Sequence, residues 1–171
     1  MLPDDHKIVD SANPYLDVID LKILEALETD GRLTNVELAE RVALSPSPCL
    51  RRVRRLEAEG IIEGYGAKIN RTKIGLSLTA FVEVKLERPR EADAEHFGQT
   101  MQALPQVLSC YLISGQPDFL MEVVVGDLAQ YSNSVLKSLR DHSEIKEVHS
   151  SFVLETVKAP AALPWRYIKS R

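Results

Sequence analysis

TNVELAERVALSPSPCLRRVRRLEAEG, Thr34 to Gly60, decides the fold. Thr34 stands three residues before Glu37, the spacing of a capping box, and Val36, Leu38, Ala39 and Val42 supply the apolar side of a short helix. ALSPSP then reads as a tight turn, with Ser45 at the cap and Pro46 at the first helical position. Pro48 still falls within the first turn, where a missing amide donor costs little. A second helix runs from there to Gly60, the expected left-handed stop. Two helices joined by a short turn make a helix-turn-helix.

The second of these helices is unusually basic for a chain of formal charge −4. At 100° per residue, Leu50, Val53 and Leu56 fall on one side and pack inward. Ser47, Pro48, Arg51 and Arg55 fall roughly opposite, with Arg52 and Arg54 on the flanks. The outward face is slim at its N-terminal end and cationic in its middle. A helix entering a DNA major groove needs this combination, small residues near the bases and arginines for guanine edges or phosphates. A basic run is also a common solvated surface. The turn before it favours DNA, as does the absence of any acid from Arg41 to Leu56, which leaves five arginines unopposed in sequence. Ser45, Ser47, Pro48, Arg51, Arg52, Arg54 and Arg55 are the candidate DNA-binding residues.

Outward from this stretch, Leu16, Ile19, Ile23, Leu24 and Leu27 recur at helical spacing and DGR at 30–32 stops that helix. IIEGYGAKIN is β-like and glycine-broken, as a wing would be. From residue 77 the period changes. Leu78, Ala80, Val82, Val84 and Leu86 alternate with Thr79, Phe81, Glu83 and Lys85, which is a strand. Residues 90–104 read as a helix, PQVLSCYLISG and DFLMEVVVG as strands around a GQPD turn, DLAQYSNSVLKSLRDH as a helix, and IKEVHSSFVLETVK as a last strand. The order β-α-β-β-α-β is the ferredoxin-like split unit.

The expected class is therefore α+β, a winged helix-turn-helix followed by a ferredoxin-like βαββαβ domain that dimerises through its sheet. The expected divisions are an extended arm at 1–15, the DNA-binding domain at 16–66, a linker at 67–76, the βαββαβ domain at 77–158 and a tail at 159–171. Phe81, Tyr111 and alternate residues of Leu120–Val125 leave both sheet faces partly apolar. Burying such a face against a second copy gives a symmetric dimer, two recognition helices and a pseudo-palindromic target.

Composition sets outer limits. With 44% hydrophobic and 27% charged residues the chain is that of an ordinary globular protein. Its net negative charge excludes indiscriminate coating of nucleic acid, so binding must come from a local patch. No apolar run is long enough for a bilayer span. The start, MLPDDHKIVDSANPY, lacks a signal pattern, so the expected location is cytoplasmic with no membrane partner. Cys49 and Cys110 are far apart and suit free thiols in a reducing compartment.

Leu16 to Asn70, together with VLSCYLISGQPDFLMEVVVGDLAQY and VHSSFVLETVK, resembles the Lrp/AsnC (feast/famine) family of prokaryotic transcription regulators. The likeness is collinear and covers nearly everything from 16 to 158. It implies that the second half senses a ligand and oligomerises, with dimers that assemble further, often to octamers. It also implies an amino-acid effector bound between dimers by the glycine-to-aspartate turn and the last strand. By position this falls on Gly115 and Asp118, Leu128, and Ser151 and Phe152, with Gln116 inside the turn. From the residues alone, Ser114–Asp118 reads rather as a plain hairpin connection. One departure stands out. The family commonly carries an acid and an aromatic where this chain has Gln116 and Pro117, and Pro117 lacks an amide donor, which leaves the ligand's identity open.

The remaining residues carry less. His6, His96, His142 and His149 lack metal-type spacing, and no metal or cofactor is expected. Cys49 lies among arginines that would lower its pKa if exposed, but it falls towards the packed side. Trp165 in the tail reads either as a contact to a neighbouring subunit or as part of a frayed end. The expected function is a DNA-binding transcription regulator answering to an amino acid or related metabolite. A ligand-independent architectural DNA binder is one alternative, a small ferredoxin-like enzyme another. No nucleophile–base pair, carboxylate cluster or phosphate-cradling loop supports the enzyme.

Overall fold

The computed structural model describes residues 16–87 and 91–168. The expected arm at 1–15 lies outside them. The chain divides into two compact units, one running to Lys68 and resuming at Lys158, the other spanning Ile69–Val157. The tail expected to stand apart thus belongs to the first unit.

In that unit, α1 (Val18–Thr29), α2 (Asn35–Arg41) and α3 (Pro46–Ala58) follow the sequence reading. Asp17 caps α1 in a box with Asp20, and Thr34 caps α2 in the expected box with Glu37. Ser45 stands at the cap position of α3 but makes no side-chain capping bond. The third helical residue, which such a bond commonly reaches, is Pro48, and it has no amide hydrogen to donate. The end of α3 is a Schellman motif. Gly60, at φ 68°, donates to the Glu57 carbonyl and Ile61 to that of Leu56. Ile23, Leu24, Leu38, Ala39, Val42, Cys49 and Leu56 form the core. Leu50, expected inside, is 37% exposed. Cys49, seven residues before Leu56 and therefore on the same side of the helix, takes the buried place.

The segment 61–70 carries no strand, so the expected β-like wing is irregular chain. Its anchor is Tyr65, whose hydroxyl donates to Glu57 Oε1 at 2.9 Å. Burial and that carboxylate push the Tyr65 pKa up to about 12. The tail returns to α1 of its own chain. Glu28 accepts from the Leu163 amide at 2.9 Å and from Trp165 Nε1 at 2.6 Å, and the indole packs on the first unit's core.

The second unit is built from β1 (Leu78–Leu86), α4 (Glu91–Gln102), β2 (Val107–Leu112), β3 (Phe119–Val125), α5 (Leu128–Tyr131), a π turn (Ser132–Leu136), α6 (Lys137–Arg140) and β4 (Ile145–Phe152). The strands lie in the order β2-β3-β1-β4, all antiparallel, which is the ferredoxin-like arrangement. Ala80, Val82, Val84 and Leu86 point to the helices, as the alternation predicts, and meet Phe97, Met101, Met121, Val123, Tyr131, Val135 and Leu139. Within the π turn the Ser134 hydroxyl bonds back to the Gln130 carbonyl at 2.6 Å, diverting an acceptor from the regular ladder.

Candidate DNA-binding helix and effector turn

Helix α3 is fixed to α1 by charge. Asp20 is fully buried, and its carboxylate is satisfied on both oxygens. Oδ1 accepts from Arg52 Nη1 at 2.8 Å. Oδ2 accepts from Arg55 Nη2 at 2.6 Å and from the Asp17 amide at 3.1 Å. Arg52 also reaches Asp17 Oδ2 at 2.7 Å. Burial opposes ionisation of Asp17, but the Asp20 amide and Arg52 outweigh it and hold its carboxyl below the usual value. Hydrogen bonds to Asp20 and Asp17 in turn raise the Arg52 guanidinium. A buried carboxylate is tolerable only when paired and bonded in this way.

The arginines are therefore unopposed in sequence but not in space. Arg52 and Arg55, one helical turn apart, turn back towards α1, and Arg55 also lies 3.9 Å from Glu59. Arg51 and Arg54 are exposed, and among the described residues neither meets a carboxylate. The outward pair is Arg51 and Arg54, not the Arg51 and Arg55 of the helical wheel. Ser45 and Ser47 are exposed and Pro48 half-buried at the slim N-terminal end. Asn35 Nδ2 donates to the Pro46 carbonyl at 2.8 Å and ties α2 to that end. Burial raises the Cys49 thiol despite Arg52, so this sulfur is kept protonated.

In the second unit, the effector candidates separate into two groups. Gly115 takes φ 109°, a conformation that favours glycine, in the turn before β3. Asp118 roots this turn in β1. Its Oδ2 accepts from the Leu86 amide at 2.8 Å, and its own amide donates to the Val84 carbonyl at 3.1 Å. Gln116 and Pro117 line a cavity of about 250 Å³ with Glu83, Lys85, Glu147 and His149 on the sheet face that carries no helices.

Leu128, Ser151 and Phe152 lie at the other end of β1. Ser151 is opposite Phe81 and Phe152 opposite Ala80, six residues from Leu86, or about 20 Å along the strand. Leu128 is exposed just after Gly126, which leaves the sheet there. Ser151 and Phe152 point to opposite faces, and the Phe152 ring packs edge-on against Tyr131 at 5.3 Å. The fold does not bring the two groups together within one chain.

One cluster escaped the sequence reading. His96 from α4, His142 after α6 and Glu144 before β4 converge, with His142 Nδ1 at 2.8 Å and His96 Nδ1 at 3.1 Å from the same Glu144 oxygen. The hydrogen bond from His142 holds the Glu144 carboxyl down at about 2. His142 and Glu144 are two residues apart, but His96 is far away in sequence, so no spacing rule could have found the trio.

Comparison with known proteins fits this geometry. Residues 16–63 match the family described as winged helix-turn-helix DNA-binding, and residues 79–163 match the Lrp/AsnC ligand binding domain. The leucine-responsive regulatory protein of Rhizobium meliloti is 41% identical over 143 residues, 84% of this chain and 92% of that one. A solved transcriptional regulator–L-Met complex from Neisseria meningitidis is 43% identical with a TM-score of 0.82, over 87% of this chain and 96% of that one. The feast or famine regulatory protein of M. tuberculosis complexed with L-methionine is 32% identical with a TM-score of 0.78, over 86% and 98%.

A helix-turn-helix unit and a ferredoxin-like ligand-binding unit on one chain define a DNA-binding transcription regulator. The chain belongs to the Lrp/AsnC family. Among its described residues no helix is long and apolar enough to cross a membrane.

Proposed function

We propose that this regulator senses an amino acid and binds a pseudo-palindromic operator as a dimer, with dimers joined into a larger assembly such as an octamer. The observation that carries the reading is the split of the effector residues. Gly115, Gln116 and Asp118 stand at one end of β1, while Leu128, Ser151 and Phe152 stand at the other. A site using both groups needs the turn of one copy against the far strand end of another, which couples ligand to assembly. The L-methionine complexes of two relatives support an amino acid as the ligand. The helix-free face supports pairing, since Phe81 is 43% and Tyr111 57% exposed there. On DNA, Arg51 and Arg54 reach phosphates or guanine edges and Ser45, Ser47 and Pro48 allow close approach. Arg52 and Arg55 hold the helix in place. The proposed function asks for no catalytic step, and a DNA target is in keeping with the expected cytoplasmic location.

The test is a thermal-shift screen against the twenty amino acids, starting with L-methionine, repeated for DNA binding with any compound that stabilises. A ligand at a hundredfold over its Kd contributes about 2.7 kcal/mol, a shift of several degrees. Asp118→Ala and Leu128→Lys each abolish the response. Mixing the two variants restores about one site in four, because some sites then combine two intact halves. Failure of the mixture to recover would place the site within a single chain. A screen without any hit would leave a ligand-independent, architectural DNA binder.

A further inference from the structure

We infer that His96, His142 and Glu144 form a binding site for a divalent transition metal of the zinc type on the second unit. Two imidazoles and one carboxylate are a donor set that zinc accepts with a solvent molecule as fourth ligand, and hard cations such as magnesium do not favour the nitrogens. The three donor atoms already lie within 4.8 Å of one another. A tetrahedral ion with bonds of 2.0–2.1 Å requires ligand separations of about 3.3 Å. The observed N···O distances of 2.8 and 3.1 Å need to open by only a few tenths of an ångström.

The scaffold around the donors is built rather than incidental. The His142 side chain is 7% and that of Glu144 17% exposed, so neither is a wandering surface group. The His142 ring meets Phe97 edge-on at 5.8 Å, and Phe97 is fully buried against Phe119 at 4.6 Å. The main chain of Glu144 is pinned as well, its carbonyl accepting from the Glu87 amide at 2.8 Å. His96 is the open member, 66% exposed on α4, and it leaves a side from which an ion enters and a water completes the shell. Without metal, each Nδ1 shares a proton with the carboxylate. With metal, both Nδ1 atoms present their lone pairs and the protons move to Nε2, a change of tautomer. The ion would staple α4 to the α6–β4 connection across the helical layer.

The experiment uses the full chain after chelator treatment, titrated with Zn²⁺ and separately with Mg²⁺. Calorimetry should give one Zn²⁺ per chain, a raised melting temperature, and no comparable response to Mg²⁺. Nitrogen NMR of the histidines should show His96 and His142 converting to the Nε2–H form. His96→Gln is the decisive variant, since an exposed residue can be changed without disturbing the core. It should weaken Zn²⁺ binding roughly 100-fold or more, beyond what loss of a supporting contact to a ligand does. Glu144→Gln should do the same. Zn²⁺ binding unchanged in His96→Gln would assign the ion to other groups, such as His149 or the cysteines, and overturn the site. So would the absence of any Zn²⁺ uptake by the native chain.

Discussion

The two units solve the problem of a small core in opposite ways. The sheet unit buries Phe97, Phe119 and Tyr131 with a row of valines and methionines, and the Tyr131–Ser150 bond at 2.6 Å is a polar link within that mostly apolar interior. The helical unit has a thinner core with no fully buried aromatic among the described residues, and at its centre lies a buried aspartate. Asp20 draws two of the four clustered arginines of α3 inward. The same run of charge thus serves two ends, holding the helix and reaching outward from it. In the sheet unit these roles fall to separate parts, the helix-covered face for stability and the bare face and turn for the proposed binding.

The contrast breaks most sharply at Asp20. Asp20→Ala removes the buried carboxylate that both arginines share, leaving Arg52 only Asp17 and Arg55 only Glu59 at 3.9 Å, and it removes a cap partner of Asp17. It should destabilise the helical unit by about 2–4 kcal/mol. Urea unfolding followed by amide exchange should show α1–α3 exposed early while the β1–β3 ladder keeps its protection. Equal loss in both units would mean that they unfold as one. Next in size is the bare sheet face. Phe81→Glu should shift the protein to smaller species by sedimentation with the fold of the sheet unit intact. An unchanged mass would place the proposed dimer contact elsewhere.

On α3 itself the division of labour can be measured. Arg51→Ala or Arg54→Ala should weaken DNA binding about tenfold and lower the salt slope by about one, with melting unchanged. Arg52→Ala should instead lower the melting temperature, and any fall in DNA affinity should follow that loss of stability. If Arg52→Ala spares stability and removes binding, the assignment of inner and outer arginines is reversed.

That assignment marks where the sequence stopped being readable. Periodicity and capping signals gave all three helices, since Thr34, Glu37, Pro46 and Gly60 act through bonds to near neighbours. Strict alternation gave β1, and the strand order followed from the split β-α-β unit. The partners of Arg52 and Arg55 lie more than thirty residues away on α1, and no local rule supplies them. A helical wheel sees one helix, so it placed Leu50 inside and Arg55 outside. IIEGYGAKIN has the composition of a strand, but among the described residues no ladder partner forms, and β propensity without a partner makes no sheet. The candidate effector turn was legible as a turn, from its glycine and aspartate. That its proposed co-residues sit at the far end of the sheet needed the register.

A smaller effect probes the Tyr131–Ser150 link in the sheet unit. Tyr131→Phe should cost about 1 kcal/mol in urea unfolding, because it leaves the Ser150 hydroxyl without its partner. Ser150→Ala should cost a similar amount, and the double variant little more than either alone. Full additivity would show that the two hydroxyls act independently, and that the unit's stability is not tied to this pair.

The smallest expected effect tests whether charge truly supports the helical unit. Asp17 has a lowered pKa in the folded chain, so the folded state binds its proton less readily than the unfolded state. Its contribution is then fully present above the ordinary aspartate value of ~4 and is lost as pH falls through the lower folded value. Asp17→Asn keeps a good helix cap while removing the charge, which separates the two roles. Asp17 is nearly half exposed, so solvent screens the pair with Arg52 and the difference should be small. Melting curves of the two proteins should run a constant distance apart near neutrality and converge as the pH is lowered below ~4. Parallel curves across the whole range would mean that the capping bonds alone hold α1 in place, and that the arginines are turned inward by Asp20 without help from Asp17.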